Sequence, residues 1–311
     1  MKFKIGKIHI DFRRHASKTQ NKSITEDYLL QFNNEYLDYL KNLSSEEIHQ
    51  RIKDISLDNL NSKKNKECAK HLLKENGIVV VPNFLDAETV NSMYNANNSL
   101  LKEISEIEEM SDGYYEDEHI IVQSSDLRIN GYLALSNHKK TIANIRQGQD
   151  LGMIDIFNVD KSKHHQDIEI GNIVRKKKNL NQLVFGIERN MELSNINLYH
   201  NDSITKTRGF HMDDLSNTHK AFIYLTDVDE LSNGPYCYVK GTHKPGPYRE
   251  ANLAIGNKSV KFTESPYAPI SSIVPILAKK GSLVISDQTG IHRGMPQKEN
   301  FKRTVLVARY K

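Results

Sequence analysis

Ala221-Phe-Ile-Tyr-Leu-Thr226, a turn at Asn233-Gly-Pro235, then Tyr236-Cys-Tyr-Val239 stopped by Gly241: this stretch reads as strand, turn, strand. Its runs are too short for helices. They are rich in aromatic and β-branched residues, which suit a pleated, half-buried surface. Working outward, the pattern recurs. Ser194-Asn-Ile-Asn-Leu-Tyr199 alternates polar and apolar, with Asn195, Asn197 and Tyr199 on one face. Gly281-Ser-Leu-Val-Ile-Ser-Asp287 and the Val- and Leu-rich run Arg303–Tyr310 supply two more strands. Short strands at this spacing predict a barrel or sandwich.

Inside this strand-rich region stands His211-Met-Asp213, with His292 81 residues later and Arg303 eleven beyond that. Two histidines and one carboxylate form the facial ligand set of a non-haem iron(II) oxygenase and leave three metal positions open. An arginine fork can grip a carboxylate with two parallel hydrogen bonds. Arg303 therefore suits the far carboxylate of a 2-oxoglutarate cosubstrate, with Arg293 and Arg309 as rivals. The triplet is a weak signal by itself, because thirteen histidines also produce His9-Ile-Asp11 and His165-Gln-Asp167. Context selects position 211. Residues 160–180 read as an exposed connection with a solvated basic run, Arg175–Lys178, and His9 sits near a terminus. Asp214 points to the opposite strand face from Asp213 and is the weaker ligand. His200, His219 and His243 fall outside the ligand pattern and read as structural or substrate-facing.

Residues 211–244 and 281–310 resemble the phytanoyl-CoA dioxygenase family of iron(II)/2-oxoglutarate oxygenases. The residues that carry the resemblance are His211-Met-Asp213, Leu225-Thr-Asp-Val-Asp-Glu-Leu-Ser-Asn-Gly-Pro-Tyr236 and Val239-Lys-Gly-Thr-His-Lys244. Gly281–Asp287 follows, with His292, Gly294, Asn300 and Arg303. Glu75-Asn-Gly-Ile-Val-Val-Val-Pro-Asn-Phe-Leu85 is similar to the family's opening strand. Thr242 stands where members usually have Ser, and Lys240 where Pro is frequent. The resemblance implies a mainly β core, α+β overall: a double-stranded β-helix (jelly roll, cupin-like) with flanking N-terminal helices. It implies Fe(II) on His211, Asp213 and His292, and 2-oxoglutarate on Arg303. Asn197, Tyr199 and Lys206 are candidates for the cosubstrate's inner carboxylate. Dioxygen is the further cosubstrate.

The implied activity is hydroxylation of an unactivated C–H bond in a small-molecule metabolite or biosynthetic intermediate, releasing succinate and carbon dioxide. Desaturation and cyclisation stay open. Halogenation is disfavoured, because Asp213 occupies the position a halide would take. Two other readings stand beside this one. A cupin-type metalloenzyme of other chemistry leaves Arg303 without a task. A non-catalytic binding protein on the same scaffold has no use for an intact ligand set.

Composition narrows the rest. A net charge of +4 is too mild and too dispersed to argue for nucleic acid. Two cysteines, Cys68 and Cys237, build neither a disulfide framework nor a thiolate zinc site, and Cys237 reads as a small core residue. A reducing, cytoplasmic setting is expected. No run is long enough for a signal peptide or a membrane span. Residues 1–66 read as an N-terminal helical extension and 67–311 as the oxygenase domain. Residues 1–22 are polar and poorly patterned. A helix is expected over 25–43 on the stripe Leu29, Phe32, Tyr36 and Leu40. A second opens at the capping box Ser44-Ser-Glu-Glu47, and a third, 62–76, ends at Gly77. After strand 78–82, Asp86 caps a helix stapled by Leu85 and Val90, with Val90, Met93, Tyr94, Asn97 and Leu101 on its inward face. The acidic stretch 103–118 reads as a solvated helix end and loop. Residues 103–190 are expected to wall the substrate pocket and set its specificity.

Overall fold

The computed structural model describes residues 35–107, 140–147, 150–168, 191–213, 218–256 and 267–311, the strands at 2–5, 8–11, 110–112 and 119–122, and a few single positions between them. The chain opens with a hairpin, β1 (Lys2–Ile5) against β2 (Ile8–Asp11). Sequence patterning alone missed it, although Phe3, Ile5, Ile8 and Ile10 alternate with polar residues as strands do. Helix α1 covers 35–41 and buries Tyr36 and Leu40; Leu29 and Phe32 lie outside the described residues.

Three helices begin and end where local chemistry dictates. In α2 (Ser45–Lys53) the Ser44 hydroxyl accepts from the Glu47 amide and the Glu47 carboxylate from the Ser44 amide. Helix α3 (Lys63–Asn76) is capped by Ser62 and stops at Gly77, whose φ of 78° closes the last turn. A Cβ there would also collide with the Tyr238 hydroxyl and the His243 ring. Asp86 caps α4 (Ala87–Ser105) through the Thr89 amide at 2.8 Å. Its inward face is Val90, Met93, Ala96, Asn97, Leu100 and Ile104; Tyr94 and Leu101 are only half-buried, a slight rotation from the expected stripe.

The core is two antiparallel sheets. The larger orders its strands as β3 (Ile78–Val81), β12 (Leu283–Asp287), β9 (His219–Tyr224), β14 (Lys302–Tyr310) and β8 (Leu193–Asp202), continued by β7 (Ile154–Phe157), β6 (Ile142–Arg146), β5 (His119–Val122) and β4 (Met110–Asp112). The smaller is β11 (Ile273–Ile276), β10 (Tyr236–Val239) and β13 (His292–Gly294), extended by a bridge between His211 and His292. Strand alternation sorts the side chains into layers. One face of the large sheet (Ile196, Leu198, Ile223, Leu283, Leu306) packs against α3 and α4. Its other face meets the small sheet through Phe222, Tyr224, Val305, Val307 and Tyr238, with Ile48 and Ile52 of α2 in the same cluster. The outer face of the small sheet, with Cys237 and Val239, is covered by Tyr36 and Leu40 of α1. Both cysteines are free. Among the described residues no helix is long and apolar enough to cross a membrane.

The expectation of an exposed connection around 160–180 is corrected in its first half. Residues 159–168 form two short 3-10 turns, Val159–Lys161 and Lys163–Ile168, against α4. Their anchors are His165 Nε2 to Asn97 Oδ1 at 2.6 Å and His164 Nε2 to Glu103 Oε2 at 2.5 Å. Polar partners on α4 made this burial possible, and hydrophobic periodicity does not report them. Arg175–Lys178 lies outside the described residues. Burial, helped by His164, lowers the His165 pKa to about 4. The unfolded chain takes up this proton first, so stability falls as pH drops from about 6.5 toward 4. Urea midpoints at about pH 7 and pH 5 should differ more for the natural chain than for His165→Gln, by on the order of 2 kcal/mol.

Candidate metal centre

His211 and His292 are direct cross-strand partners. Each backbone amide donates to the other's carbonyl at 2.9 Å. Directly opposed residues of an antiparallel pair project to one side, and the two imidazoles stand 4.5 Å apart between centroids. Asp213 is two residues on, so extended backbone returns it to the same side; its amide donates to the Gln288 carbonyl at 3.1 Å. Asp213 Oδ1 lies 3.4 Å from His211 Nε2 and 3.6 Å from His292 Nε2. One ligand atom from each of the three falls within 4.8 Å of the others, the single such cluster of metal-binding groups among the described residues.

The surroundings prepare these groups for a cation. His211 Nδ1 is 2.8 Å from the Gly209 carbonyl and His292 Nδ1 2.9 Å from that of Gly290. A carbonyl only accepts, so each Nδ1 donates to it, and each Nε2 is turned inward toward Asp213. Burial first, then Arg208 and His292, lowers the His211 pKa to about 3, which keeps the ring neutral. The protein packed around Asp213 raises its pKa, but the Lys220 ammonium and both histidines outweigh this and hold the carboxyl well below the usual range. Lys220 Nζ is 2.5 Å from Asp213 Oδ2 and 5.9 Å from the centre of the Tyr199 ring. Sequence reasoning missed Lys220. The signal available was alternation along β9, where Lys220 shares a face with Phe222 and Tyr224.

Arg303 enters the same interior. Its Nη1 donates to the Gly234 carbonyl and its Nη2 to Asn201 Oδ1 at 3.2 Å, while its Nε has no partner. Among the described residues it forms no ion pair. Asp150 acts on it from a distance but is held by Arg146 at 2.6 Å. The guanidinium lies beside Gly294: a Cβ at that position would sit 3.4 Å from Nη2, an ordinary contact. The rival Arg293 alternates outward; it lies over the rings of Tyr36 and Phe210 and donates to Thr207 Oγ1 at 2.7 Å.

Of the inner-carboxylate candidates, Asn197 and Tyr199 face the interior, with Asn197 Oδ1 accepting from the Asn158 amide. Lys206 is exposed on the connection after β8. His200 binds Thr304 Oγ1, His243 binds the Lys74 carbonyl, and His219 pairs with Asp287 in register. Asp214 lies outside the described residues.

The sequence profile of phytanoyl-CoA dioxygenase (PhyH) matches residues 73–305. The chain belongs to the phytanoyl-CoA dioxygenase family. Solved structures of other proteins share its fold, the double-stranded β-helix. The epimerase SnoN in complex with Fe3+, alpha ketoglutarate and nogalamycin RO is 15% identical at a TM-score of 0.51, over 80% of this chain and 84% of that one. EvdO2 from Micromonospora carbonacea var. aurantiaca, complexed with 2-oxoglutarate, is 11% identical at 0.51, over 80% and 90%. AviO1 from Streptomyces viridochromogenes Tue57 is 13% identical at 0.50, over 80% and 96%. Among curated proteins, none matches.

His211→Ala and Asp213→Ala should each abolish manganese(II) binding in calorimetry while the circular dichroism spectrum stays native. His165→Ala, the competing His-x-Asp, should keep the metal. Retention by the first two with loss in the third would move the centre elsewhere.

Proposed function

We propose that the protein is an Fe(II)- and 2-oxoglutarate-dependent dioxygenase that hydroxylates an unactivated C–H bond of a small-molecule metabolite or biosynthetic intermediate. The observation that carries this reading is a three-ligand cluster, His211, Asp213 and His292, on the same interior as a half-buried arginine, Arg303, that forms no ion pair among the described residues. The donor set fits the metal: two imidazole nitrogens and one carboxylate on a single side leave the opposite side open. Iron supplies the oxidative chemistry there, with 2-oxoglutarate and dioxygen consumed and succinate and carbon dioxide released.

The chain's own residues bind, orient and exclude water. Arg303 takes the distal carboxylate of the cosubstrate, which answers its unpaired charge. Tyr199 is the proposed partner of the inner carboxylate, because its ring lies on the interior wall beside the Lys220–Asp213 pair. Tyr236 lies tilted 5.6 Å from the His292 ring and holds its hydroxyl 3.1 Å from Ser286 Oγ, which bounds one side of the ligand cluster. The acidic and insertion residues 103–190 are proposed as the specificity wall; within them β4–β7 continue the large sheet past β8. That SnoN is an epimerase with the same fold makes the oxidative outcome the point to test.

Arg303→Lys keeps the charge and loses the fork, so 2-oxoglutarate affinity should fall tenfold or more, about 1.4 kcal/mol. Titration of the anaerobic iron protein followed by its visible charge-transfer band measures this. Succinate release under air separates this function from a cupin of other chemistry or a binding protein. Incorporation of labelled oxygen from dioxygen into the product separates hydroxylation from epimerisation, desaturation or ring closure. An iron-loaded protein that releases no succinate with any substrate offered, and does not bind 2-oxoglutarate, sinks the proposal.

A further inference from the structure

A second arginine shares the interior wall with Arg303. Strand β14 puts Arg303, Val305, Val307 and Arg309 on one face, and six residues of strand separate the two arginines by about 20 Å. Arg309 is paired in register with Lys220 on β9 and with Asn195 on β8. Opposed residues project together, and Lys220 reaches Asp213 on the interior side, so Arg309 and Asn195 are on that side too. A continuous path links the two arginines. Arg303 borders Gly294, His292 is two residues before it, His292 Nε2 is 3.6 Å from Asp213 Oδ1, and Asp213 Oδ2 is 2.5 Å from Lys220 Nζ. Lys220 stands opposite Arg309. This chain of contacts runs from Arg303 through the three ligand groups to Arg309.

Among the described residues the Arg309 guanidinium forms neither a hydrogen bond nor an ion pair, and its Nε is buried without a partner. Its cross-strand neighbour is another cation, and like charges directly opposite are destabilising. In the metal-free chain Asp213 offsets Lys220. A bound dication draws on that same carboxylate, which leaves two cations on one partly dry wall with too little negative charge. Asn195 adds an amide beside them but no charge.

We propose that Arg309, flanked by Lys220 and Asn195, is an oxyanion-binding subsite on the far side of the metal from the cosubstrate, so the primary substrate carries a carboxylate, phosphate or sulfate group. The inference rests on the oxygenase reading and deepens it. Cosubstrate and substrate enter from opposite arginines, each held by a charge at its distal end, and the bond to be oxidised lies over the metal between them. Arginine's planar fork suits such a group better than a second lysine would.

The test uses the full chain loaded with manganese(II) and 2-oxoglutarate, titrated calorimetrically with inorganic phosphate, sulfate and acetate. At least one anion should bind saturably without displacing 2-oxoglutarate. Arg309→Gln should weaken that binding tenfold or more, and Arg309→Lys by less. Circular dichroism and metal content of both variants check that they fold. Preference for phosphate or sulfate points to a phosphorylated or sulfated substrate; preference for acetate points to a carboxylic acid. The proposal is overturned if no anion binds the natural chain, if Arg309→Gln binds as well as it does, or if the anion displaces 2-oxoglutarate. Failure of 2-oxoglutarate itself to bind is measured first and counts against the oxygenase function.

Discussion

The mutual backbone pairing of His211 and His292 is the constraint from which the site follows. Two amides, each donating to the other's carbonyl, fix the register between a connection after β8 and a strand near the C-terminus. Register decides which face every side chain takes, because a slip of one residue would turn the imidazole of the shifted segment outward. With the register set, Asp213 falls on the same side by alternation, and Gly294 lies beside Arg303.

The layers around this pairing keep it in place. Helices α3 and α4 cover the outer face of the large sheet, and α1 covers the outer face of the small one. Arg293 links the two concerns. It follows His292 in sequence, turns outward, and lies over the rings of Tyr36 from α1 and Phe210 just before His211. The outer packing thus grips the strand whose inner face presents the ligand. The interior keeps a polar wall in which charge is unevenly shared: Asp213 serves Lys220, Asp155 and Asp150 serve Arg146, and among the described residues Arg303 and Arg309 form no ion pair. Cationic groups left this way on a half-buried wall are costly to hold without a counter-charge, which is why they bear on what binds there.

Much of this was legible in the chain. The capping box at Ser44, the Asp86 cap, the Gly77 stop and the strands at 236–239 and 303–310 are local, and local chemistry is written in adjacent residues. The His-x-Asp motif, its distant histidine and the arginine beyond it were also legible, since their residue types and order carry the chemistry. Positions that depend on contacts across long separations were not. The burial of His165 rests on Asn97, 68 residues earlier. The pairing of Lys220 with Asp213 needs the bend between them, which no periodicity describes. That Arg293 turns outward while Arg303 and Arg309 share the inward face needed the faces of β13 and β14.

The sequence by itself determined the strand-rich core, the helix ends and the residue types able to hold a metal, because hydrophobic period, capping and ligand chemistry act over a few residues. Only the tertiary structure decided which histidine pairs with which, that Arg293 turns outward, and that Arg309 stands opposite Lys220 on the face of Arg303. Those facts are set by strand register, and register is fixed by backbone hydrogen bonds between segments far apart in the chain.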